Sequence, residues 1–332
     1  FVPKLLPYRE TQQHHVANCI KPLMQDRNGR NLFICGAPGI GKTAAIRWVL
    51  RDLEETTDEV IPIYVNCWQK NTTYKIMMEL CSQLDYRFTQ NKNTEELFVV
   101  IKNIVNKKSV VFVFDEVDKV EEADFLYAIL NDVLRKTVIL ITNYKSWLEH
   151  IEDRVKSRLM AEILEFRPYS GDETKEILKQ RVGYAFVPGA WDSDAFSLIL
   201  SKAAEVRDIR TGLFLLREAG LCAEEKSAKR ISIEHAGNAI AKVSEFNTRD
   251  SDGLSDDTKG ILSLVNQHSG KKIGDLFDLY KNVDASINYK TFQRRIEKLT
   301  LSGFVNTEKI VGGKDGKTTI VSAINAKKLT EF

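Results

Sequence analysis

Apolar positions in the first 165 residues follow two rhythms. Short, nearly unbroken apolar runs at Asn31–Cys35, Val60–Asn66, Val110–Phe114 and Thr137–Thr142 have strand length and predict buried strands. Between them, apolar residues recur every three or four positions over Lys42–Glu55, Thr73–Leu84, Thr94–Val105 and Glu121–Leu134, the rhythm of helices with one buried stripe. Strands alternating with helices predict an α/β fold, a parallel sheet covered on both faces. From about residue 166 the strand rhythm stops. Ser170-Gly171-Asp172-Glu173 reads as a capping box opening a helix through Val182, and Asp194–Val206, Ile209–Ala223 and Ile233–Phe246 read as further helices. Residues 247–257 are polar with no apolar period and read as loop, with a linker over 249–257.

After that segment come three helix-sized stretches, Thr258–His268, Ile273–Asn282 and Tyr289–Leu301, then two strand-sized ones, Phe304–Val311 and Thr318–Ile324. A Gly- and Lys-rich tip over 312–317 joins the last two. Three helices followed by a basic hairpin predict a winged helix. The expected domains are an α/β domain over 1–165, a small helical domain over 166–248 and a winged helix over 258–332.

Composition narrows the class. The 332 residues are 43% hydrophobic and 28% charged, which excludes a disordered or collagen-like chain. No apolar run approaches the ~20 residues of a membrane helix, so no membrane partner is expected. Phe1-Val2-Pro3-Lys4 shows no signal-peptide pattern, and the absence of an initial Met implies upstream residues. Five scattered cysteines form no CxxC pair and no Cys/His zinc pattern, as expected for a reducing, cytoplasmic setting. The net charge is +2, but residues 255–332 hold 13 Lys and Arg against 9 Asp and Glu. The C-terminal region is therefore +4 and the remainder −2, a weak hint of a polyanionic partner.

The chemistry concentrates after the first strand. Gly36, Ala37, Pro38, Gly39, Ile40, Gly41, Lys42 and Thr43 match GxxxxGK[ST] in full, with Ala44 following on the helix. Glycines let backbone N–H groups converge on phosphate oxygens, and a helix N-terminus adds positive potential. Lys42 is placed to reach the β/γ-phosphates of ATP, and the Thr43 hydroxyl to ligate Mg²⁺. The run Val110–Phe114 ends in Asp115-Glu116. A buried parallel strand delivers such carboxylates to the edge where ligands bind, Asp115 for Mg²⁺ and Glu116 as general base on water. Asp118 reads as a helix cap. Asn143, at the end of the neighbouring strand, reads either as a partner of the γ-phosphate or lytic water or as a turn residue.

GxPGxGKT, a strand ending in Asp-Glu and a strand ending in Asn together resemble AAA+ ATPases. Leu6-Pro7-Tyr8-Arg9-Glu10, Val65-Asn66-Cys67, Asp115–Lys119, Asp153–Ser157 and Asp208–Leu213 narrow this to the archaeal origin-recognition/cell-division-cycle initiator family. That resemblance implies a nucleotide-binding α/β domain, a helical lid and a DNA-binding winged helix, in a cytoplasmic, nucleoid-associated archaeal protein. It further implies an arginine finger acting on a neighbouring subunit, Arg158 first and Arg154 second, and a lid sensor, Arg210. Arg207 stands where the family generally has Gly. The implied partners are double-stranded origin DNA, neighbouring initiator subunits and the replicative helicase. Thr72–Asn106 corresponds to an inserted helical element that touches DNA in initiators, although Lys70, Lys75, Arg87, Lys92 and Lys102 are dispersed and read individually as a solvated face.

On Tyr289–Leu301, Tyr289, Phe292, Ile296 and Leu299 fall on one stripe facing a core. Thr291, Arg294 and Lys298 fall opposite, with Arg295 flanking, a face suited to the major groove. Lys314 and Lys317 at the hairpin tip suit phosphate contacts. The same face also fits protein contact. Two other readings stay open: an ATP-driven signalling or transcription-regulating switch, and a clamp loader.

Overall fold

The computed structural model describes residues 6–206, 208–252, 256–281, 287–301, 304–310 and 318–323. The chain divides into two compact units, residues 1–240 and 241–332.

In the first unit, helix α1 (Glu10–Ile20) and a short 3-10 turn (Lys21–Gln25) lead into strand β1 (Leu32–Cys35) and helix α2 (Lys42–Thr56). Strand β2 (Val60–Asn66) is followed by α3 (Thr73–Gln83) and α4 (Thr94–Val105), then β3 (Ser109–Asp115), α5 (Asp124–Asp132) and β4 (Lys136–Ile141). Two short helices, α6 (Trp147–His150) and α7 (Asp153–Leu159), precede β5 (Glu162–Glu165). The five strands form one sheet, ordered β2-β3-β4-β1-β5, with every pairing parallel.

Strand β3 shows why the sheet carries helices on both faces. All seven of its residues are buried. Val110, Phe112 and Phe114 pack with Ile76, Leu97 and Phe125 of α3, α4 and α5. The alternate residues, Val111 and Val113, pack with Val16 of α1 and Ile46 and Val49 of α2. An all-apolar run is what a strand covered on both faces requires. The register places Asn66 beside Asp115 and Asp115 beside Ile141, so three strands end level at the carboxyl edge.

Helices α8 (Gly171–Ala185), α9 (Ser193–Val206), α10 (Ile209–Glu225) and α11 (Ile233–Asp252) form the helical bundle that follows. The expected capping box on α8 is present, with Ser170 Oγ accepting from Glu173 N and Glu173 Oε2 accepting from Ser170 N.

Several features differ from the sequence reading, three of them for clear physical reasons. β5 was not expected, because Glu162-Ile163-Leu164-Glu165 is an edge strand of alternating burial with charged ends, not an unbroken apolar run. α1 was not expected either, since its buried residues are Val16, Cys19 and Ile20 and the remainder, Ala17 apart, is polar. Residues 247–252, read as loop, continue α11, and α12 (Asp256–Gln267) begins at Asp256, so residues 249–252 and 256–257 of the expected linker are helical, while 253–255 lie outside the described residues. Extending a formed helix adds one hydrogen bond per residue without new nucleation, so weak local propensity does not end it.

The second unit contains α12, β6 (Lys271–Lys272), α13 (Ile273–Lys281), α14 (Tyr289–Leu301), β7 (Val305–Ile310) and β8 (Thr318–Ala323). Its strands form an antiparallel sheet ordered β6-β8-β7. This is the element order of a winged helix. Ile261, Val265, Leu276, Phe292, Ile296, Leu299, Val305 and Val321 fill its core. Among the described residues no helix is long and apolar enough to cross a membrane.

Candidate nucleotide site and winged-helix surface

The turn between β1 and α2 crosses the carboxyl edge of the sheet. Gly39 and Gly41 hold φ +76° and +88°, where a side chain would be strained. A Cβ on Gly39 would also lie 2.1 Å from Asp208 Oδ1, so this position needs glycine for space as well. Gly41 caps α2 without any side-chain hydrogen bond, which leaves the first N–H groups of α2 facing the turn. An anion fits such a helix start.

Lys42 is 93% buried, and its Nζ donates to Gly36 O at 2.7 Å, Ala37 O at 2.8 Å and Asn143 Oδ1 at 2.8 Å. Burial lowers its pKa to about 8 against the opposing pull of Asp115. Asn143, in the bend after β4, therefore stands beside the P-loop lysine. Thr43 Oγ1 donates to Asp115 Oδ2 at 2.6 Å, so the two expected metal residues meet. Glu116 N donates to Asp115 Oδ1 at 2.9 Å. Glu116 sits at φ +55°, unusual for a residue with a side chain. Burial, with Asp115 and Asp118 nearby, raises its carboxyl pKa. A base whose pKa is moved toward neutrality is better matched to taking a proton from water.

These groups open on a cleft of about 360 Å³. Lys42, Thr43, Asp115, Glu116, Asn143 and Arg210 line its polar part, and Leu6, Pro7, Tyr169, Ile177, Ile209 and Leu213 its apolar part. Pro38, Gly39, Ile40, Gly41 and Ala44 also line it. Arg210, at the start of α10, is exposed, and its backbone N–H is capped by Asp208 Oδ1 at 2.8 Å. Arg207 lies outside the described residues. The donor set suits the implied ligands: an ammonium and an open helix start for phosphates, and hydroxyl and carboxylate oxygens for a hard divalent cation.

Asp118 does not cap a helix. It follows Glu116, accepts from Thr142 Oγ1 at 2.8 Å and pairs with Lys119 at 3.0 Å, tying the ends of β3 and β4 together. Arg154 and Arg158 do not line this cleft. Both guanidiniums lie over the Tyr127 ring, 5.1 and 4.6 Å from its centroid, with Arg154 also bonded to Asp124 at 2.7 Å.

Sequence reading gave no role to Arg9 or Tyr64, whose side chains bond to residues that line the cleft. Arg9 is fully buried, donating to Ile40 O in the P-loop at 3.1 and 3.0 Å and to Arg167 O at 2.7 Å, over the Tyr169 ring at 4.0 Å. Tyr64 donates from its hydroxyl to Asp115 Oδ2 at 2.7 Å. The signal for Arg9 was its place in Leu6–Glu10; nothing marked Tyr64, one apolar-looking residue within a strand. Elsewhere, His15, Cys19 and Glu162 bring possible metal ligands within 4.8 Å of one another. There the carboxylate is already shared by His15 at 3.2 Å and Arg30 at 2.8 Å, and that fixed positive charge opposes a cation.

In the second unit, α14 buries Phe292, Ile296 and Leu299 as expected. Tyr289 departs from the expectation: it is 42% exposed and meets Phe277 edge-on at 5.1 Å. Its position in the first turn leaves it at the rim of the core. Arg294 is exposed and Thr291 half-buried, and both line a surface groove with Asn288, Lys290, Gln293 and Glu297. Arg295 is held by Asp257 of α12 at 2.8 Å, so it braces two helices. Lys314 and Lys317 lie outside the described residues, as does the side chain of Lys298.

A five-stranded parallel sheet with a P-loop, an Asp-Glu strand end, an Asn after the neighbouring strand and a following helical bundle define an AAA+ P-loop ATPase fold. A family model described as an AAA domain matches residues 25–150, and one described as a Cdc6 AAA+ ATPase-type lid domain matches residues 175–241. The chain is 30% identical over 361 residues to the ORC1-type DNA replication protein 1 of Sulfurisphaera tokodaii, covering 98% of this chain and 91% of that protein. It is likewise 30% identical to the ORC1-type DNA replication protein 1 of Aeropyrum pernix, covering 97% and 89%. The chain belongs to the family of archaeal ORC1-type DNA replication proteins. Its fold matches the structure of the Aeropyrum pernix ORC1 protein in complex with DNA, with TM-score 0.69, 28% identity and coverage of 97% and 90%. Cdc6p from Pyrobaculum aerophilum shares the fold, with TM-score 0.66 over 97% and 92% of the two chains at 17% identity.

Proposed function

We propose that this chain is a replication initiator that binds duplex origin DNA under the control of ATP. The observation that carries the reading is the convergence of Lys42 with Asn143 and of Thr43 with Asp115 at one sheet edge. In it, the α2 start and Lys42 hold the β/γ-phosphates. Thr43 and Asp115 hold Mg²⁺, which supplies charge neutralisation at those phosphates. Glu116 takes a proton from water and Asn143 orients Lys42 or the water. Arg210 on the lid senses the γ-phosphate, so that nucleotide state sets lid position and assembly. Tyr127 presents Arg158, with Arg154 beside it, toward a neighbouring subunit. Hydrolysis is slow and resets the switch.

The Aeropyrum pernix ORC1 structure holds DNA, and the exposed Thr291–Arg294 side of α14 supports the same partner here. Arg294 reads base edges, while Lys298, Lys314 and Lys317 contact phosphate. Neighbouring initiator subunits and the replicative helicase complete the expected partners. The test is binding of the full chain to origin-containing and random duplexes at stated salt, with and without ATP. Tighter, ATP-dependent binding to the origin duplex is expected. Equal affinity for both duplexes, unchanged by ATP, would overturn the reading.

A further inference from the structure

Asp115 is 97% buried, and its carboxylate carries three hydrogen bonds. Oδ1 accepts from Glu116 N at 2.9 Å. Oδ2 accepts twice, from Thr43 Oγ1 at 2.6 Å and from Tyr64 Oη at 2.7 Å. The terminal torsion of an aspartate is broad and two-fold, so its oxygens point where their donors hold them. Two of the three donors belong to the site's own working parts: Thr43 is itself a metal residue, and Glu116 is the base. Tyr64 alone of the three has no place in that chemistry.

Tyr64 is held in turn. It stands on β2 directly beside Val113, two residue pairs from the Asn66–Asp115 row at the sheet edge. The Arg47 guanidinium of α2 covers its ring at 4.3 Å, and Gln83 of α3 brackets its backbone, accepting from Tyr64 N at 3.1 Å and donating to Tyr64 O at 2.7 Å. A phenol carries its proton near neutral pH, so Tyr64 Oη is the donor in its bond to Asp115.

We infer that Tyr64 is a positioning residue for the metal half of the nucleotide site: its hydroxyl, carried on a ring covered by Arg47 and a backbone held by Gln83, fixes the Asp115 carboxylate in the orientation that receives Mg²⁺. This rests on the proposed reading of Asp115 as a metal residue. The arrangement makes metal affinity depend on a group that touches neither metal nor nucleotide. Without the hydroxyl, Oδ2 keeps Thr43 as its one donor, and the carboxylate orientation becomes tied to the same hydroxyl that the metal needs.

The test separates nucleotide binding from metal binding. Affinity for a fluorescent ADP analogue is measured in EDTA and across a Mg²⁺ titration, for wild type, Tyr64→Phe, Asp115→Asn and the double variant. Tyr64→Phe removes one oxygen and retains the ring under Arg47. Its affinity in EDTA should match wild type, while the Mg²⁺ concentration giving half of the metal-dependent gain should rise about tenfold, the scale of one hydrogen bond to a charged group. In the Asp115→Asn background, Tyr64→Phe should have no further effect on the metal titration. Equal loss in EDTA and in Mg²⁺ would show a merely structural role and overturn the inference, as would an unchanged Mg²⁺ titration. A wild type whose nucleotide affinity shows no Mg²⁺ dependence would instead overturn the metal reading of Asp115 itself, and this inference with it.

Discussion

The nucleotide cleft and the exposed side of α14 solve opposite problems with the same kinds of residue. In the cleft, charged groups are buried and interlocked: Lys42 holds three oxygens, and Asp115 accepts from three donors. On α14, Arg294 stands in solvent beside an open groove, and one position on, Arg295 is spent on Asp257. Burial makes a charged residue costly unless every partner is present, so a buried site tolerates few alternatives. An exposed face is cheap and tolerates many. The effects of substitution should therefore be large and specific in the first region, and smaller and graded in the second.

The largest effect is expected at Glu116. Replacing it with Gln keeps the site's shape and removes proton uptake, so nucleotide should still bind while single-turnover hydrolysis falls about 10²–10⁴-fold. Undiminished turnover would break the contrast at its strongest point.

That point is also where the sequence spoke most clearly. GxxxxGKT and the Asp-Glu strand end are short, contiguous and chemically constrained, and the structure brings Lys42, Thr43, Asp115 and Asn143 into contact. Tyr64 and Arg9 were not assigned roles, because their partners lie 51 and 31 residues away. Pairings across that distance leave no local pattern. β5 was hidden for a different reason: a half-exposed edge strand alternates with charge where the central strands do not. Asp118 was misread because the residue type that caps helices also ties strand ends together, as it does here with Thr142.

Next in size is Lys42→Ala. Losing the buried ammonium leaves phosphate charge without its partner, which costs about 2–5 kcal/mol, so ATP affinity should fall by 30-fold or more (a conversion of about 1.4 kcal/mol per tenfold). Isothermal titration checks it. Asn143→Ala should cost less, since Gly36 O and Ala37 O still hold the ammonium.

The neighbouring arginines of α14 sharpen the contrast within one helix. If Arg294 reads a base edge, Arg294→Ala should cost about 1–3 kcal/mol on the specific duplex and lower the ratio of specific to random affinity. Arg295→Ala should leave that ratio alone and instead lower the melting temperature of the C-terminal unit modestly, because its partner is Asp257. Reversed outcomes would place the base reader at 295.

The smallest effect concerns pH and lies in the cleft. Lys42 has its pKa lowered to about 8 by burial, below the roughly 10.4 of a free lysine. Bound polyphosphate favours the ammonium, so nucleotide binding above that value must take up a proton. Affinity should be flat below about pH 8 and fall above it, by at most tenfold per pH unit. Stability of the nucleotide-free protein should move the other way. The unfolded chain keeps the lysine proton to higher pH than the folded one, so this group's contribution to stability rises between about pH 8 and 10.4. Nucleotide affinity that is level from pH 7 to 9.5, or that falls equally in Lys42→Arg, would remove the buried lysine as the source of the effect.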